Sequence, residues 1–597
     1  MSEFDKLALA QACSILKSHF GVKVIGDWVP INEIKVTFML SLELQIVDAE
    51  PTMEIPEFSS WNIIVDFEDD KWGKVQLFPS LDNNAVKATF QHQLYNGGTH
   101  PTWPVRNGHI CTLENTHGLA ISKNALKIEP KYTVERITWH VDRAIEWLTA
   151  AASYSLVKNG DYFELPDFDV INTSKSIALA YYENVESYEH WNNISERAGL
   201  AYISIFNNTV ITKRYLDKKD EKILYEPSWG SLIKKLPEKR ALWLRLNKTP
   251  VINVWQVPST MEELISVLKL QGIDLPEIVR MLMPKFNDPS ECLLILGMPI
   301  PQIIGETCDR YHWQAMVLSP VSKKIKSNFV RTQMTINHLQ SRQPLPWLVS
   351  SENWHPDELQ NRGRLCKSLL TAKILLIGGG ALGAIISEQI VRMGICDLTV
   401  VDKDIFEPGN LVRHALDIDS IRHHKSQALA EDLNKLNPSA NVKGLILSAP
   451  NDSDEFKNAA THASLILDLT ADDGLMDEFP LKEFHPDSII ISCSLGLHAN
   501  RVFLFADLAK NFNVASFNSW FQPYRDEEHK LAEKEALPRG IGCWHPIVPA
   551  PFNRICGLAS VVLEFIQQIY NDETILPVSY CHEWCVPNLK SGITKAA

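Results

Sequence analysis

The 597-residue sequence contains no run of about 18 consecutive apolar residues, the length that a membrane-spanning helix requires. Its first twenty residues form an amphipathic pattern, without the basic stretch that opens a secretory signal peptide. Internal repeats and low-complexity tracts are also missing, which excludes a repeat architecture. We therefore expect a cytoplasmic protein with no membrane association.

Positive charge is scarce, since 58 Lys and Arg residues face 72 Asp and Glu residues and the net charge is −14. This balance disfavours approach to a DNA or RNA backbone, so we expect no nucleic-acid partner. Cysteine is limited to 11 residues, an odd number. In a long cytosolic chain this indicates thiols, some of them catalytic, rather than disulfides.

The remaining composition, 45% hydrophobic and 22% charged, is that of a globular protein with ample core. At the usual ~150 residues per domain, the chain should hold three or four domains. The local pattern of hydrophobic, polar and turn-forming residues divides the chain into three regions, 1–165, 166–342 and 343–597. We predict an α/β multidomain protein with an α+β first region, a middle α/β domain of unassigned fold and a Rossmann-like third region.

Hydrophobic periodicity places the main elements. The predicted strands are Val24–Val29, Ile34–Phe38, Leu42–Val47, Trp61–Phe67, Leu200–Ile205, Val251–Val257, Leu293–Leu296, Leu398–Val401 and Leu465–Thr470. The predicted helices include Val134–Val157, Met261–Leu268 and Pro276–Met283. The charged run Asp526–Glu535 is predicted to be an exposed, mobile connection. Three cysteines in apolar surroundings are predicted to be core thiols: Cys366, Cys396 and Cys493.

A glycine-rich loop links a buried strand, Lys373–Ile377, to a helix. It reads Gly378-x-Gly380-x-x-Gly383, and the next strand ends at Asp402. The glycines let backbone N–H groups and a helix N-terminus approach a polyphosphate, and the acid can hold ribose hydroxyls. These residues alone leave open a Rossmann domain that binds NAD for redox chemistry.

Polar and cationic residues follow Asp402 in an order that a redox cofactor does not need: Asp404, Asn410, Arg413 and Lys425. An Arg and a Lys can neutralise a nucleoside triphosphate while a carboxylate is being activated. Further along, Leu465–Thr470 leads into an acidic turn. This combination favours adenylation over hydride transfer.

Taken together, these motifs resemble those of the ThiF/MoeB and ubiquitin-activating enzyme superfamily, which uses ATP to adenylate the C-terminal carboxylate of a small protein. The resemblance implies that ATP and Mg²⁺ are required. It implies a phosphate loop at Gly378, Gly380 and Gly383, a ribose contact at Asp402, and a nucleotide site lined by Asp404 and Asn410. It also implies triphosphate contacts from Arg413 and Lys425, a magnesium-organising Asp472, a supporting Asp468, and an arginine, Arg362 or Arg364, that reaches a nucleotide site.

Cys543 follows the nucleotide motifs in the sequence Cys-Trp-His-Pro. Many bacterial relatives carry Cys-x-x-Cys here, paired with a second such motif to hold zinc, whereas this chain continues to Cys581-His-Glu-Trp-Cys585. Because a thiolate is a strong nucleophile near neutral pH, we predict that Cys543 takes the acyl group from the adenylate. Zinc held by Cys543, Cys581, Cys585 and either His545 or His582 is the alternative.

The first region resembles the ubiquitin-conjugating fold. Its motifs fall in that family's order, with Phe78-Pro79 after the sheet, then His100-Pro101, then a Gly-x-Ile-Cys sequence that ends at Cys111. The resemblance implies that Cys111 accepts the acyl group. Its Gly-, Asn- and Pro-rich loop favours an exposed thiol, and a buried structural cysteine is the alternative.

One position departs from the conjugating family. The Asn that follows His-Pro, and that stabilises the oxyanion as lysine attacks, is Thr102 in this chain. Thr102 itself, Asn107 or His109 can supply a hydrogen-bond donor, and the sequence does not choose among them.

A conjugating-like module placed before an activating module resembles the fused enzyme of bacterial CBASS anti-phage islands. That resemblance implies a cGAS/DncV-like nucleotidyltransferase as the protein activated at its C-terminus, a target protein amine as acceptor, and a homodimer. No RING-like Cys/His array occurs, so no ligase domain of that type is expected. Two alternatives remain, a ThiF/MoeB-type sulfur-transfer activator and a non-catalytic nucleotide-binding scaffold.

Overall fold

The computed structural model describes residues 3–31, 36–68, 70–112, 129–168, 177–286, 292–319, 327–339, 345–348, 350–363, 365–535, 549–571 and 574–584. The chain forms two compact units. The first contains Met1–Glu226 with Glu238–Asn353, and the second contains Pro227–Pro237 with Trp354–Ala597. The sequence places the later boundary at 342/343, whereas the two units divide after Asn353.

The N-terminal part of the first unit is an antiparallel sheet with a helix before it and a longer helix after it. Its elements are α1 (Glu3–Lys17), β1 (Val22–Val24), β2 (Val29–Pro30), β3 (Thr37–Gln45), β4 (Phe58–Asp66), β5 (Lys74–Pro79) and α2 (Thr133–Ala152). The strand order is β1-β3-β4-β5, and β2 also pairs with β3. The predicted strands Ile34–Phe38 and Leu42–Val47 both fall on β3, with three exceptions: 34–35 lie outside the described residues, Val36 precedes the strand, and Ile46–Val47 follow its end.

The middle part of the first unit is a mixed sheet with helices on both faces. From β6 to β13 the chain runs β6 (Ala178–Tyr181), α3 (Val185–Asn192), β7 (Ala198–Phe206), β8 (Thr209–Leu216), β9 (Ile223–Tyr225), α4 (Ser231–Lys235, part of the second unit), β10 (Lys239–Arg245), α5 (Met261–Leu270), α6 (Leu275–Leu282), β11 (Cys292–Ile300), β12 (Arg310–Ser319), α7 (Asn328–Leu339) and β13 (Ser350–Asn353). The strand order is β12-β11-β10-β7-β8-β6-β13, with β9 on β8. One face packs against α5, α6 and α7, and the other against α3.

The predicted strand Val251–Val257 is wrong, because this stretch is a turn region with one isolated bridge, between Asn253 and Gln256. Val254 has a positive φ of 34°. Pro250 and Pro258 flank the stretch and supply no backbone N–H, so a sheet ladder cannot continue through them.

The second unit contains a doubly wound sheet. Its elements after Asn353 are α8 (Pro356–Leu359), α9 (Lys367–Leu370), β14 (Lys373–Ile377), α10 (Ala381–Arg392), β15 (Asp397–Val401), α11 (Lys425–Leu436), β16 (Asn441–Leu445), α12 (Asp454–His462), β17 (Leu465–Asp468), α13 (Asp473–Glu478), β18 (Ile489–Leu495), β19 (Arg501–Leu508), α14 (Val514–Lys534), α15 (Phe552–Asn571) and β20 (Val578–Glu583). The strand order is β16-β15-β14-β17-β18-β19-β20, and the first five strands are parallel. Counted from β14 this is the 3-2-1-4-5 order of a Rossmann-like sheet, as predicted.

The predicted mobile connection at Asp526–Glu535 is wrong, because all but its last residue belong to α14. Glu527 pairs with Arg501 at 2.9 Å, and Glu528 accepts the N–H of Leu497 at 2.6 Å, so the acidic side chains anchor the helix.

Of the three predicted core thiols, Cys493 is buried, whereas Cys366 and Cys396 are only half-buried. No helix in the described ranges has the length and apolarity needed to cross a membrane.

Two candidate active sites

The carboxyl ends of three strands meet at the glycine-rich loop. Ile377, the last residue of β14, pairs with Val401 of β15 on one side and with Asp468 of β17 on the other. Gly378 then turns with a φ of +96°, and its N–H donates to the carbonyl oxygen of Val401 at 2.9 Å. This edge, where the chain leaves β14 between two oppositely directed crossovers, is the position at which α/β sheets bind ligands.

The loop is closed toward the sheet and open in front of α10. A Cβ at Gly383 would lie 2.0 Å from the carbonyl oxygen of Gly378, so only glycine lets helix and loop approach this closely. Gly380 precedes the first residue of α10, and no atom lies within 4 Å of the place its Cβ would occupy. The open space therefore lies at the N-terminus of α10, the positive end of the helix dipole, and such an end suits a polyphosphate.

Asp402 fastens the loop from the neighbouring strand. Its Oδ2 accepts the N–H of Gly379 at 2.8 Å, and its Oδ1 accepts the N–H of Asp404 at 2.7 Å. Burial raises the pKa of this carboxyl group. Asp402 therefore shapes the loop, and its contact with a ribose remains a prediction.

Lys425 is the first residue of α11 and is buried, with its Nζ 3.1 Å from Oδ2 of Asp404. A cation at a helix N-terminus is disfavoured by the helix dipole, and the Asp404 carboxylate offsets that cost. Because Asp404 is largely exposed, the pair adds little stability, and Lys425 can exchange this partner for a phosphate.

Asn410 shapes the turn that precedes Arg413. Its Oδ1 accepts the N–H of Glu407 at 3.0 Å, and its carbonyl oxygen accepts the N–H of Arg413 at 3.0 Å. The side chain of Asn410 thus caps a 3-10 turn.

His414 belongs to this site, although the sequence analysis did not identify it. It is 5% exposed; its Nδ1 accepts the N–H of Leu416 at 3.1 Å, and its Nε2 donates to the carbonyl oxygen of Gly379 at 2.8 Å. Burial lowers the pKa of His414 to about 4, so the ring is neutral near pH 7. The sequence signal that could have identified His414 was its position directly after Arg413.

The end of β17 leads into an acidic turn. Asp468 is buried and accepts the hydroxyl groups of Thr470 at 2.7 Å and Ser492 at 3.0 Å, and burial raises the pKa of Asp468 to about 6. The strand therefore ends at Asp468, two residues earlier than predicted. Ala471 has a φ of +56°, and Asp472 follows as the exposed cap of α13, accepting the N–H of Gly474 at 3.0 Å.

Within the described ranges, no group of three His, Cys, Asp or Glu residues is placed to hold a metal ion. Magnesium commonly takes one or two carboxylates and completes its shell with phosphates and water, and the exposed carboxylate of Asp472 fits that pattern.

Several predicted residues lie outside the described ones: Arg364, Cys543, His545 and Cys585. Cys581 and His582 lie next to each other on β20, so their side chains point to opposite faces of the sheet. The acyl-accepting role of Cys543, the zinc alternative and the contribution of Arg362 or Arg364 stay predictions.

Cys111 lies in the first unit, just after a bridge between Gln93 and Ile110, and is exposed, as its loop composition predicted. Its N–H donates to the carbonyl oxygen of His92 at 2.7 Å. Gly108 has a φ of +92°, and a Cβ there would lie 2.6 Å from the Cα of Asn96, so glycine is required for this approach.

Asn96 organises the Cys111 loop and was also missed. It is fully buried, and its Nδ2 donates to the carbonyl oxygens of Val86 at 3.0 Å and Ala88 at 2.8 Å. Its Oδ1 accepts Nε of Arg106 at 2.6 Å. The bonds span eight to ten residues along the chain, too far for a local motif to indicate.

Two of the three candidate oxyanion donors, His109 and Thr102, contact one cluster of rings that includes Phe78 and His100, whereas the N–H of Asn107 donates to the carbonyl oxygen of Gly98 at 3.2 Å. His109 packs against Phe78 at 5.3 Å between ring centroids, and burial lowers the pKa of His109 to about 4. Thr102 is exposed, and its N–H donates to Nδ1 of His100 at 3.2 Å. The choice among Thr102, Asn107 and His109 remains open.

Two protein-family models match this chain. Residues 155–354 match the Cap2 central linker domain, and residues 354–475 match the ThiF family. The middle and third regions therefore each have a named family counterpart.

Relatives of this chain include an ATP-dependent ubiquitin transferase-like protein, Cap2, from Enterobacter hormaechei subsp. hoffmannii, 30% identical over 530 residues, which are 86% of this chain and 87% of that protein. Cap2 of Pseudomonas aeruginosa is 34% identical over 83 residues, 13% of this chain and 15% of that protein. The molybdopterin-synthase adenylyltransferase of Haemophilus influenzae is 29% identical over 126 residues, 19% of this chain and 51% of that enzyme. Because the first similarity extends over most of both proteins, the chain belongs to the Cap2 family of ATP-dependent ubiquitin transferase-like proteins.

Proposed function

We propose that this protein activates the C-terminal carboxylate of another protein with ATP and then joins it to an amine of a target protein. The observation that carries the proposal is the cluster of an open glycine-rich loop, the buried Lys425 and the acidic turn at Asp472 on one edge of a Rossmann-like sheet. Membership of the Cap2 family supports the transfer steps that follow adenylation.

In this account the N-terminus of α10 and Lys425 hold the triphosphate, and Arg413 neutralises its developing charge. Asp472 would hold Mg²⁺, which supplies charge neutralisation as pyrophosphate leaves. The substrate carboxylate attacks the α-phosphorus, and the bond to pyrophosphate breaks. His414 and Asp402 keep the loop in position without contacting the reacting atoms.

The acyl group then passes from the adenylate to Cys543 with release of AMP, and from Cys543 to Cys111 by thioester exchange. An amine of the target protein takes it from Cys111. By resemblance, the activated protein is a cGAS/DncV-like nucleotidyltransferase in anti-phage defence, and the enzyme works as a homodimer.

The adenylation step is tested by ATP–pyrophosphate exchange with Asp472→Asn, and Asp473→Asn serves as the matched control. Asp473 is adjacent and pairs with Arg525 at 2.7 Å, on the helix rather than at the loop. We expect loss of exchange in Asp472→Asn and near wild-type exchange in Asp473→Asn. Exchange that survives in Asp472→Asn would refute the site assignment.

A further inference from the structure

Cys111 opens into a cleft of about 960 Å³ that the conjugating-like region does not form alone. Its lining includes His92, His109 and Cys111, then residues 161–168, and also His312 and other residues of the middle sheet. All of these residues belong to the first compact unit.

The lining segment 161–168 is hydrogen-bonded to the chain on both of its sides. Toward the middle sheet, the N–H of Phe163 donates to the carbonyl oxygen of Gln302 at 3.1 Å, and Tyr162 forms a bridge with Ile303. Toward the conjugating-like region, Asp167 accepts the N–H of Tyr95 at 2.7 Å. Bonds on both edges fix the position of this segment relative to the thiol.

A two-bond path connects Cys111 to Glu164. The carbonyl oxygen of His92 accepts the N–H of Cys111 at 2.7 Å, and the N–H of His92 donates to both carboxylate oxygens of Glu164, at 3.1 and 3.0 Å. The ring of His92 adds a contact with Glu164 at 3.2 Å. His92 has a φ of +57°, a strained conformation for a non-glycine residue that the contacts with both neighbours maintain.

The cleft is rich in carboxylates. Its described lining includes the carboxylates of Asp161, Glu164 and Asp167 and no Lys or Arg. Burial lowers the pKa of both His109 and His312 to about 4, so neither carries positive charge near neutral pH. Such a cleft attracts a cation and repels an anion.

Building on the proposed function, we propose that this cleft admits the lysine side chain of the target protein to the thioester on Cys111, with Glu164 as a positioning residue for the cationic amine. A lysine is protonated in water near pH 7, and its ammonium donates strongly to carboxylates. The middle region thereby completes the conjugating site.

In the reaction the deprotonated amine nitrogen forms a bond to the thioester carbonyl carbon, and the carbon–sulfur bond breaks. Cys111 leaves as a thiolate. Of the two protons that the nitrogen loses, the thiolate takes one and solvent takes the other. Glu164 contributes by holding the incoming cation near the thioester before its deprotonation.

The test uses the full-length enzyme with the thioester on Cys111 loaded from ATP, Mg²⁺ and the tagged protein substrate. After EDTA stops activation, the loss of the Cys111 thioester is measured with one of two added nucleophiles. The first is acetyl-lysine amide, whose side-chain amine is a cation, and the second is hydroxylamine, which is neutral at pH 7. The variant is Glu164→Gln, which removes the charge but keeps an oxygen for the N–H of His92. The control is Glu50→Gln, an exposed carboxylate outside the cleft.

We expect Glu164→Gln to load Cys111 normally, to discharge to acetyl-lysine amide about five- to tenfold more slowly, and to discharge to hydroxylamine at the wild-type rate. Asp161→Asn should also slow discharge to acetyl-lysine amide and leave discharge to hydroxylamine unchanged, but the slowing should be smaller. An unchanged lysine rate, or equal slowing with both nucleophiles, would overturn the role of Glu164 while leaving the relay intact. Absence of a Cys111 thioester in the wild type would overturn the proposed function, and with it the proposed role of this cleft.

Discussion

His414 donates its Nε2 hydrogen to the carbonyl oxygen of Gly379 over 2.8 Å, which places a neutral, buried imidazole against the glycine-rich loop. We expect His414→Ala to raise the KM for ATP in pyrophosphate exchange about tenfold, because a buried carbonyl left without a partner costs about 1–3 kcal/mol and loosens the loop. His414→Gln can still donate an N–H and should lose less. Equal KM values for wild type and His414→Ala would contradict the positioning role.

Gly380 and Gly383 offer a paired test of the loop. Gly380→Ala adds a methyl group where no protein atom lies within 4 Å, so we expect unchanged thermal stability but weaker ATP binding by about tenfold or more. Gly383→Ala pushes a Cβ to within 2.0 Å of the Gly378 carbonyl oxygen and should destabilise the second unit itself. Thermal melts with and without ATP separate the two effects. Normal ATP binding by a stable Gly380→Ala protein would show that the open space is not the phosphate site.

Glu183 makes the stability of the middle domain depend on pH. The residue is buried, its Oε1 accepts the indole N–H groups of Trp191 at 2.9 Å and Trp313 at 2.7 Å, and burial raises the pKa of Glu183 from 4.5 to about 7. The native state therefore binds more protons than the unfolded state between these values. The stabilisation is complete below pH 4.5 and is lost as pH rises through about 7.

Glu183→Gln does not titrate in this window. We expect its stability relative to wild type to improve by up to ~3 kcal/mol between pH 5 and pH 8. Denaturant unfolding followed by tryptophan fluorescence measures this difference, because Trp191 and Trp313 surround the site. A stability difference that is the same at both pH values would contradict the raised pKa.

The position of the glycine-rich loop was predictable because its physics is local. Gly378, Gly380 and Gly383 lie within six residues of one another, and the strand before them and the acid after the next strand follow the sequence pattern of the fold. Patterns of this kind report backbone requirements that do not depend on the rest of the chain. The predicted strand Lys373–Ile377 accordingly has the same first and last residues in the structure.

The supporting residues were not predictable because their partners are distant in sequence. The bond from His414 to Gly379 spans 35 residues, and the bonds from His92 to Glu164 span 72. The acidic run Asp526–Glu535 misled for the same reason. Its charge correctly indicated exposure to solvent, but it did not indicate the helix, in which Glu527 pairs with Arg501, 26 residues earlier.

Thioester trapping tests the proposed relay from Cys543 to Cys111. The full-length protein is incubated with ATP, Mg²⁺ and host lysate, and wild type, Cys111→Ala and Cys543→Ala are compared on reducing and non-reducing gels. We expect thiol-sensitive adducts that vanish in Cys543→Ala and accumulate on Cys543 in Cys111→Ala. Adducts that are independent of both cysteines, or none despite ATP turnover, would contradict the relay and favour sulfur transfer instead.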